Sequence, residues 1–188
     1  MDTLLQKIRA CELCKSDLPL TPKPILGFSN SARIMIIGQA PGIKAHESGK
    51  PWNDASGVRL RQWLGVNEDQ FYDESLFAIV PMGFCYPGKS KSGDLPPRPE
   101  CSAKWMELIL NHLEKVELKI LIGAYSQSYF LKTKSGGLTE TVQSWRSFAP
   151  AQFPLPHPSP RNNIWLAKNP WFEKNLVPQL QKYVRAFL

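Results

Sequence analysis

No apolar run in this chain is long enough to cross a membrane. The opening Met1-Asp2-Thr3-Leu4 also lacks the basic-then-apolar layout of a secretion signal. A cytoplasmic location is therefore expected. There is no internal repeat, low-complexity tract or second-domain signature, so a single domain over residues 1–188 is expected. Neither a Walker fingerprint nor a GxGxxG fingerprint is present in the main glycine loop, which sets aside the common nucleotide-cradling motifs. Cysteine is scarce, and in a cytosolic chain its four copies are not expected to form disulfides.

What is there suits a globular protein with a full core: 43% hydrophobic and 21% charged residues over 188 positions. The charge is unbalanced, with 23 Lys+Arg against 16 Asp+Glu and a net charge of +7. That balance favours a polyanionic partner, and 11% aromatic residues supply stacking surface for bases. Nucleic acid is the partner class these numbers favour.

The central stretch is Arg33–Gly42. Ile34, Met35, Ile36 and Ile37 form a short apolar run closed by Gly38-Gln39-Ala40-Pro41-Gly42. Such a run reads as a strand buried on both faces, as in the middle of a parallel sheet. In open sheets of that kind, ligands bind beyond the carboxyl ends of the strands. Ser75–Val80, Leu118–Gly123 and Phe153–Pro156 read as three further strands, the first of these ending at Pro81.

Helices are expected at Thr3–Ile8, after an Asp54 or Ser56 cap with Val58, Leu60 and Leu64 inward, and at Ala103–Val116 with Trp105, Met106, Ile109, Leu110 and Leu113 on the apolar side. Others are expected at Ser126–Leu131, Thr139–Phe148 and Trp171–Phe187. Residues 15–31, rich in Pro, Ser and Lys, read as a linker. Alternating strands and helices imply an α/β fold, a three-layer α/β/α sandwich around a four-stranded parallel sheet.

Cys11-Glu-Leu-Cys14 is a C-x2-C knuckle, and Cys85 and Cys101 form a wider pair across a proline-rich, basic loop. Four thiols in two groups suit one four-coordinate site, although the spacing is not that of a zinc ribbon. Four unrelated buried thiols is the other reading. A second unusual loop, His157-Pro158-Ser159-Pro160-Arg161-Asn162, follows the last strand.

With both loops in view, the pattern resembles the uracil-DNA glycosylase superfamily, which pairs a Gly-[Gln/Glu]-x-Pro-[Gly/Tyr] loop with a His-Pro-Ser/Ala loop. Gly38–Gly42, the cysteine order, and Gly49-Lys50-Pro51-Trp52 look most like the family 4 iron–sulfur enzymes, whereas the His157 loop looks like the single-strand-selective monofunctional branch. The resemblance implies DNA containing a damaged base as partner, and a monomer is expected because reaching a flipped base needs one free DNA face. It also implies a structural [4Fe–4S] cluster on Cys11, Cys14, Cys85 and Cys101. Under it, Gly38, Gln39, Ala40, Pro41, Gly42, Trp52 and Pro81 surround the extracted base, with Trp52 as stacking face or, alternatively, a core aromatic. His157 donates to the base oxygen, while Ser159, Arg161 and Asn162 face DNA.

Three positions depart from the family pattern. Gln39 replaces a glutamate, the acidic pair falls at Ala45-His46 with Glu47 one step on, and Pro81 replaces the asparagine that reads uracil. His46 and Glu47 are then the candidates for activating water, with Asp54 as cap or base. The implied activity is monofunctional excision of uracil or another deaminated base in base excision repair. The alternative is a silent member that binds DNA through Arg161, Lys89, Lys91 and Arg98; a nucleotide-binding protein with structural zinc is a third reading.

Overall fold

A computed structural model describes residues 3–91, 93–131 and 137–188. Its strands are β1 (Ile34–Ile37), β2 (Phe77–Ile79), β3 (Lys89–Ser90), β4 (Gly93–Asp94), β5 (Leu118–Ile122) and β6 (Gln152–Leu155). Four of them form one sheet in the order β2-β1-β5-β6, parallel throughout, with Ile34 opposite both Phe77 and Leu118 and with Ile120 opposite Phe153. β3 and β4 make a separate antiparallel ladder inside the Cys85–Cys101 loop.

The apolar run in β1 is buried at all four positions, and the reason is visible in what each face meets. Ile34 and Ile36 join Leu60, Trp63, Phe172 and Leu180 on one side of the sheet. Met35 and Ile37 join Leu5, Ile8, Trp105 and Ile109 on the other. Side chains alternate along a strand, so a strand covered by helices on both faces must be apolar at every position. Each such fully buried Ile, Leu or Phe contributes roughly 1.5–3 kcal/mol of transfer free energy. The result is the three-layer α/β/α arrangement with the expected four-stranded parallel sheet.

On the first face lie α3 (Ala55–Leu64), α4 (Glu68–Tyr72) and the C-terminal pair Phe172–Leu176 and Val177–Arg185. On the second lie α1 (Thr3–Arg9) and the helix that starts at Pro99, passes through a π-helical turn at Ser102–Met106 and ends at His112. That helix begins earlier than the apolar pattern suggested, because Pro99 at its first turn leaves no amide unsatisfied. α2 (Ile43–Ser48) follows the glycine loop directly and was not foreseen, being too short to show a period.

Two expectations are corrected. Residues 15–31 do not form a free linker: Ile25, Leu26 and Phe28 are buried, and Gly27 pairs in both directions with Ile79. Val58 is 49% exposed, whereas Trp63 is buried. Ser56 and Gly57 occupy the inward face one turn before Leu60, so Val58 is rotated outward.

Candidate active site at the carboxyl edge of the sheet

The loops leaving β1 and β6 meet at the same edge of the sheet and enclose a cleft of about 330 Å3. Gly38 to Gly42 form one wall, and His157, Ser159 and Arg161 form the other. Pro81, just past the end of β2, and Trp52 complete it, so most of the residues singled out from sequence converge.

Trp52 is held by its backbone as much as by its ring. It has φ 56, in the left-handed region that bulky residues rarely occupy. Tyr72 Oη donates to the Pro51 carbonyl at 2.8 Å, and Asp54 caps α3 by accepting the Gly57 N–H at 2.9 Å, pinning the chain on both sides. The indole lies against Gly38, where any Cβ would fall 2.8 Å from Trp52 Cζ2. Gly57 is equally constrained, since a methyl there would overlap the Trp52 carbonyl oxygen. One side of Trp52 packs on the core while the ring still lines the cleft, which reconciles the two readings of this residue.

His157 faces Trp52 with ring centroids 5.6 Å apart and planes 35° apart. Its Nδ1 accepts the backbone N–H of Ser159 at 3.2 Å. The neutral ring therefore carries its hydrogen on Nε2, which is left as a donor. Burial pushes the His157 imidazole below the ordinary histidine range, against the opposing pull of the Asp54 and Asp94 carboxylates. The Asn162 side-chain amide donates to the His157 carbonyl at 2.8 Å, and Arg59 donates to the Ser159 carbonyl at 3.2 Å. Ser159 Oγ accepts the Arg161 N–H, closing the 3-10 turn Pro160–Asn162. Asn162 thus braces the loop from behind.

A stability consequence follows from the sign of the His157 shift. As pH falls through the ordinary histidine range of about 6.5, the unfolded chain binds a proton that the folded chain still refuses. Stability present above that range is lost on acidification until the lower folded value is passed. Thermal melts between about pH 7.5 and about pH 5.5 are expected to show a steeper fall for the parent protein than for His157→Asn. Equal slopes would contradict the assignment.

His46 and Glu47 do not line the cleft. The His46 ring lies 6.2 Å from that of Tyr86, and Lys23 Nζ binds the backbone carbonyls of both residues. Both follow Ala45 on α2, where the helix turns them away from the wall formed by Gly42–Ala45. Two residues not singled out from sequence do belong to the site: Asp94, on β4, lines the cleft, and Arg59 supports its second loop. Arg98, expected among the basic contacts, is paired with Asp17 at 3.3 Å and Glu100 at 2.6 Å.

Cys11, Cys14, Cys85 and Cys101 line one small pocket with Phe84, Trp105 and Arg98. The Phe84 N–H points at Cys101 Sγ at 3.5 Å. Burial pushes the Cys85 thiol up to about 11 and that of Cys101 up to about 12. All four are free thiols, and among the described residues no three His, Cys, Asp or Glu side chains are grouped closely enough to hold a metal ion. No helix among the described residues is long and apolar enough to cross a membrane.

Residues 26–181 match the family model of the uracil DNA glycosylase superfamily. The type-4 uracil-DNA glycosylase of Thermotoga maritima is 23% identical over 146 residues, a match covering 74% of this chain and 70% of that protein. With the parallel sheet, the two loops at its carboxyl edge and a family match over most of its length, the chain belongs to the uracil-DNA glycosylase superfamily.

Proposed function

We propose that the protein is a monofunctional DNA glycosylase that extrudes uracil or a related deaminated base and hydrolyses its N-glycosidic bond in base excision repair. The observation that carries this reading is the convergence of Trp52, Gly38 and an Nε2-protonated, partly buried His157 on one cleft. A base inside a duplex must leave the stack before its bond to the sugar can be reached. Trp52 offers the extruded base a face to replace lost stacking. As the C1′–N bond breaks, negative charge grows on the base, and the His157 Nε2–H donates to the base oxygen. The ring's reluctance to take a second proton keeps that donor neutral and its Nδ1 bond to Ser159 intact. Arg161 and Ser159, on the outer rim, face the flanking phosphates, in keeping with the net charge of +7.

The test is to incubate the protein with single- and double-stranded oligonucleotides carrying uracil, hypoxanthine or xanthine and to identify the released base with its alkali-labile site. Release of one base supports the reading. Salt-sensitive DNA binding with no release from any oligonucleotide would establish the silent binder instead.

The four thiols fit a structural iron–sulfur cluster. They line a single pocket, and four cysteine thiolates are the ligand set that a [4Fe–4S] cluster takes. The cluster would tie the N-terminal segment to both ends of the Cys85–Cys101 loop; hydrolysis needs no electron from it. Anaerobically prepared protein is expected to be brown, with iron and acid-labile sulfide in equal amounts. Cys101→Ser is expected to lose the iron and lower the melting temperature by roughly 10 °C. A colourless, zinc-loaded sample would contradict the cluster.

A further inference from the structure

We infer that Asp94, delivered by the cysteine-bounded loop, is the carboxylate that activates water in this cleft; the inference rests on the glycosylase reading above. Hydrolysis needs a group that takes a proton from water and faces the cationic sugar, yet Gln39 cannot act as a base. Its side-chain amide instead donates to the Leu95 carbonyl at 3.4 Å. His46 and Glu47 lie outside the cleft lining. Two carboxylates line it among the described residues, Asp54 and Asp94. Asp54 is engaged at the head of α3, accepting the Gly57 N–H. Asp94 is exposed to the cleft and has no such engagement with a helix end.

Its placement is built. The β3–β4 ladder sets Lys89 opposite Asp94, Ser90 Oγ donates to the Gly93 carbonyl at 3.0 Å, and the Leu95 N–H donates to Gly88 at 2.9 Å. On one side the Asp94 carboxylate lies against Gly42, where a Cβ would be 3.5 Å from Oδ2. On the other, the Arg161 guanidinium rests on Gly93, whose φ of 143° is one that residues with a side chain rarely adopt. Asp94 is thus carried between the first loop and the His157 loop, on the same cleft as the His157 ring. The loop anchored at Cys85 and Cys101 would then do more than brace the fold: it would supply the carboxylate base that the first loop lacks.

In the step so assigned, Asp94 takes a proton from water as the water oxygen bonds to C1′. The C1′–N electron pair leaves with the base, whose oxygen accepts the His157 hydrogen bond. The proton then passes from Asp94 to the departing base, restoring the carboxylate.

The experiment is single-turnover excision from oligonucleotides carrying uracil, hypoxanthine or xanthine, with DNA affinity and melting curves measured alongside. Asp94→Asn is expected to slow excision about 10²-fold or more, the range of general-base catalysis. Its DNA affinity should be unchanged or tighter, since a negative charge beside Arg161 is removed. Asp94→Ala should regain part of its rate on addition of formate, which a purely structural role would not allow. A rate for Asp94→Asn within threefold of the parent, or a loss tracking a lowered melting temperature without formate rescue, would overturn the inference and leave the glycosylase reading standing. A parent protein that releases no base would overturn both.

Discussion

Replacing His157 by alanine is expected to lower the single-turnover excision rate by about 10²–10³-fold, the cost of removing one donor aimed at developing charge, or ~3–4 kcal/mol. The magnitude follows from position. The ring is partly buried, its Nδ1 is occupied by the Ser159 N–H, and its carbonyl is fixed by Asn162, so the Nε2 donor is in place before the substrate arrives. Preorganised donors need no reorientation as the bond breaks, which is why their loss falls mainly on the chemical step. DNA affinity should therefore change little. A variant that binds DNA 10²-fold more weakly yet cleaves bound substrate normally would reassign His157 to binding.

Gly57→Ala is the second substitution with a large expected effect, at a residue that touches no substrate. The added methyl would overlap the Trp52 carbonyl oxygen, and neither side has an easy retreat. Trp52 already holds a left-handed backbone, Asp54 spans back to the Gly57 amide, and the Pro51 carbonyl is bound by Tyr72. The segment must shift as a unit, losing the cap and displacing the indole from Gly38. Loss of the cap alone costs about 1 kcal/mol, and the steric shift adds to it, for a melting-temperature drop of roughly 5 °C or more. A displacement of about 1 Å at a positioning residue can cost 10²-fold in rate. Excision and thermal melts measured together check both parts. A variant with parent-like stability and rate would show that the loop accommodates the methyl and that the Trp52 position is not critical.

The parallel sheet and both loops were legible because their signals are local. The run Ile34–Ile37 ending in Gly38, and His157 placed immediately after β6, announce buried strands and the turns that leave them. A resemblance built on order and spacing singled out Trp52, which lines the cleft, and the four cysteines, which line one pocket. Asp94 was not. In the sequence it is one acidic residue in a proline-rich loop, and only the ladder it forms with Lys89 and its placement beside Gly42 put it in the cleft. His46 and Glu47 looked suitable because they are close in sequence to the glycine loop. The intervening α2 rotates them away from the cleft, a consequence of helical geometry that spacing alone does not display. The segment around Phe28 was misread for a similar reason: its prolines and lysines suggest a solvated linker, but Ile25, Leu26 and Phe28 cover the edge of the sheet beyond β2.

The central claim is that the cleft receives a base drawn out of DNA, seated against Trp52 and within reach of the His157 donor. The most direct measurement places 2-aminopurine next to a non-hydrolysable, 2′-fluorinated uracil, hypoxanthine or xanthine nucleotide in a duplex and follows its fluorescence on adding protein. Extrusion of the neighbour unstacks the probe, so the signal is expected to rise with one of these nucleotides. It should rise equally for His157→Ala, which keeps the seat but loses the donor, and less for Trp52→Ala. Binding without any rise above an undamaged duplex, for all three nucleotides, would contradict the account.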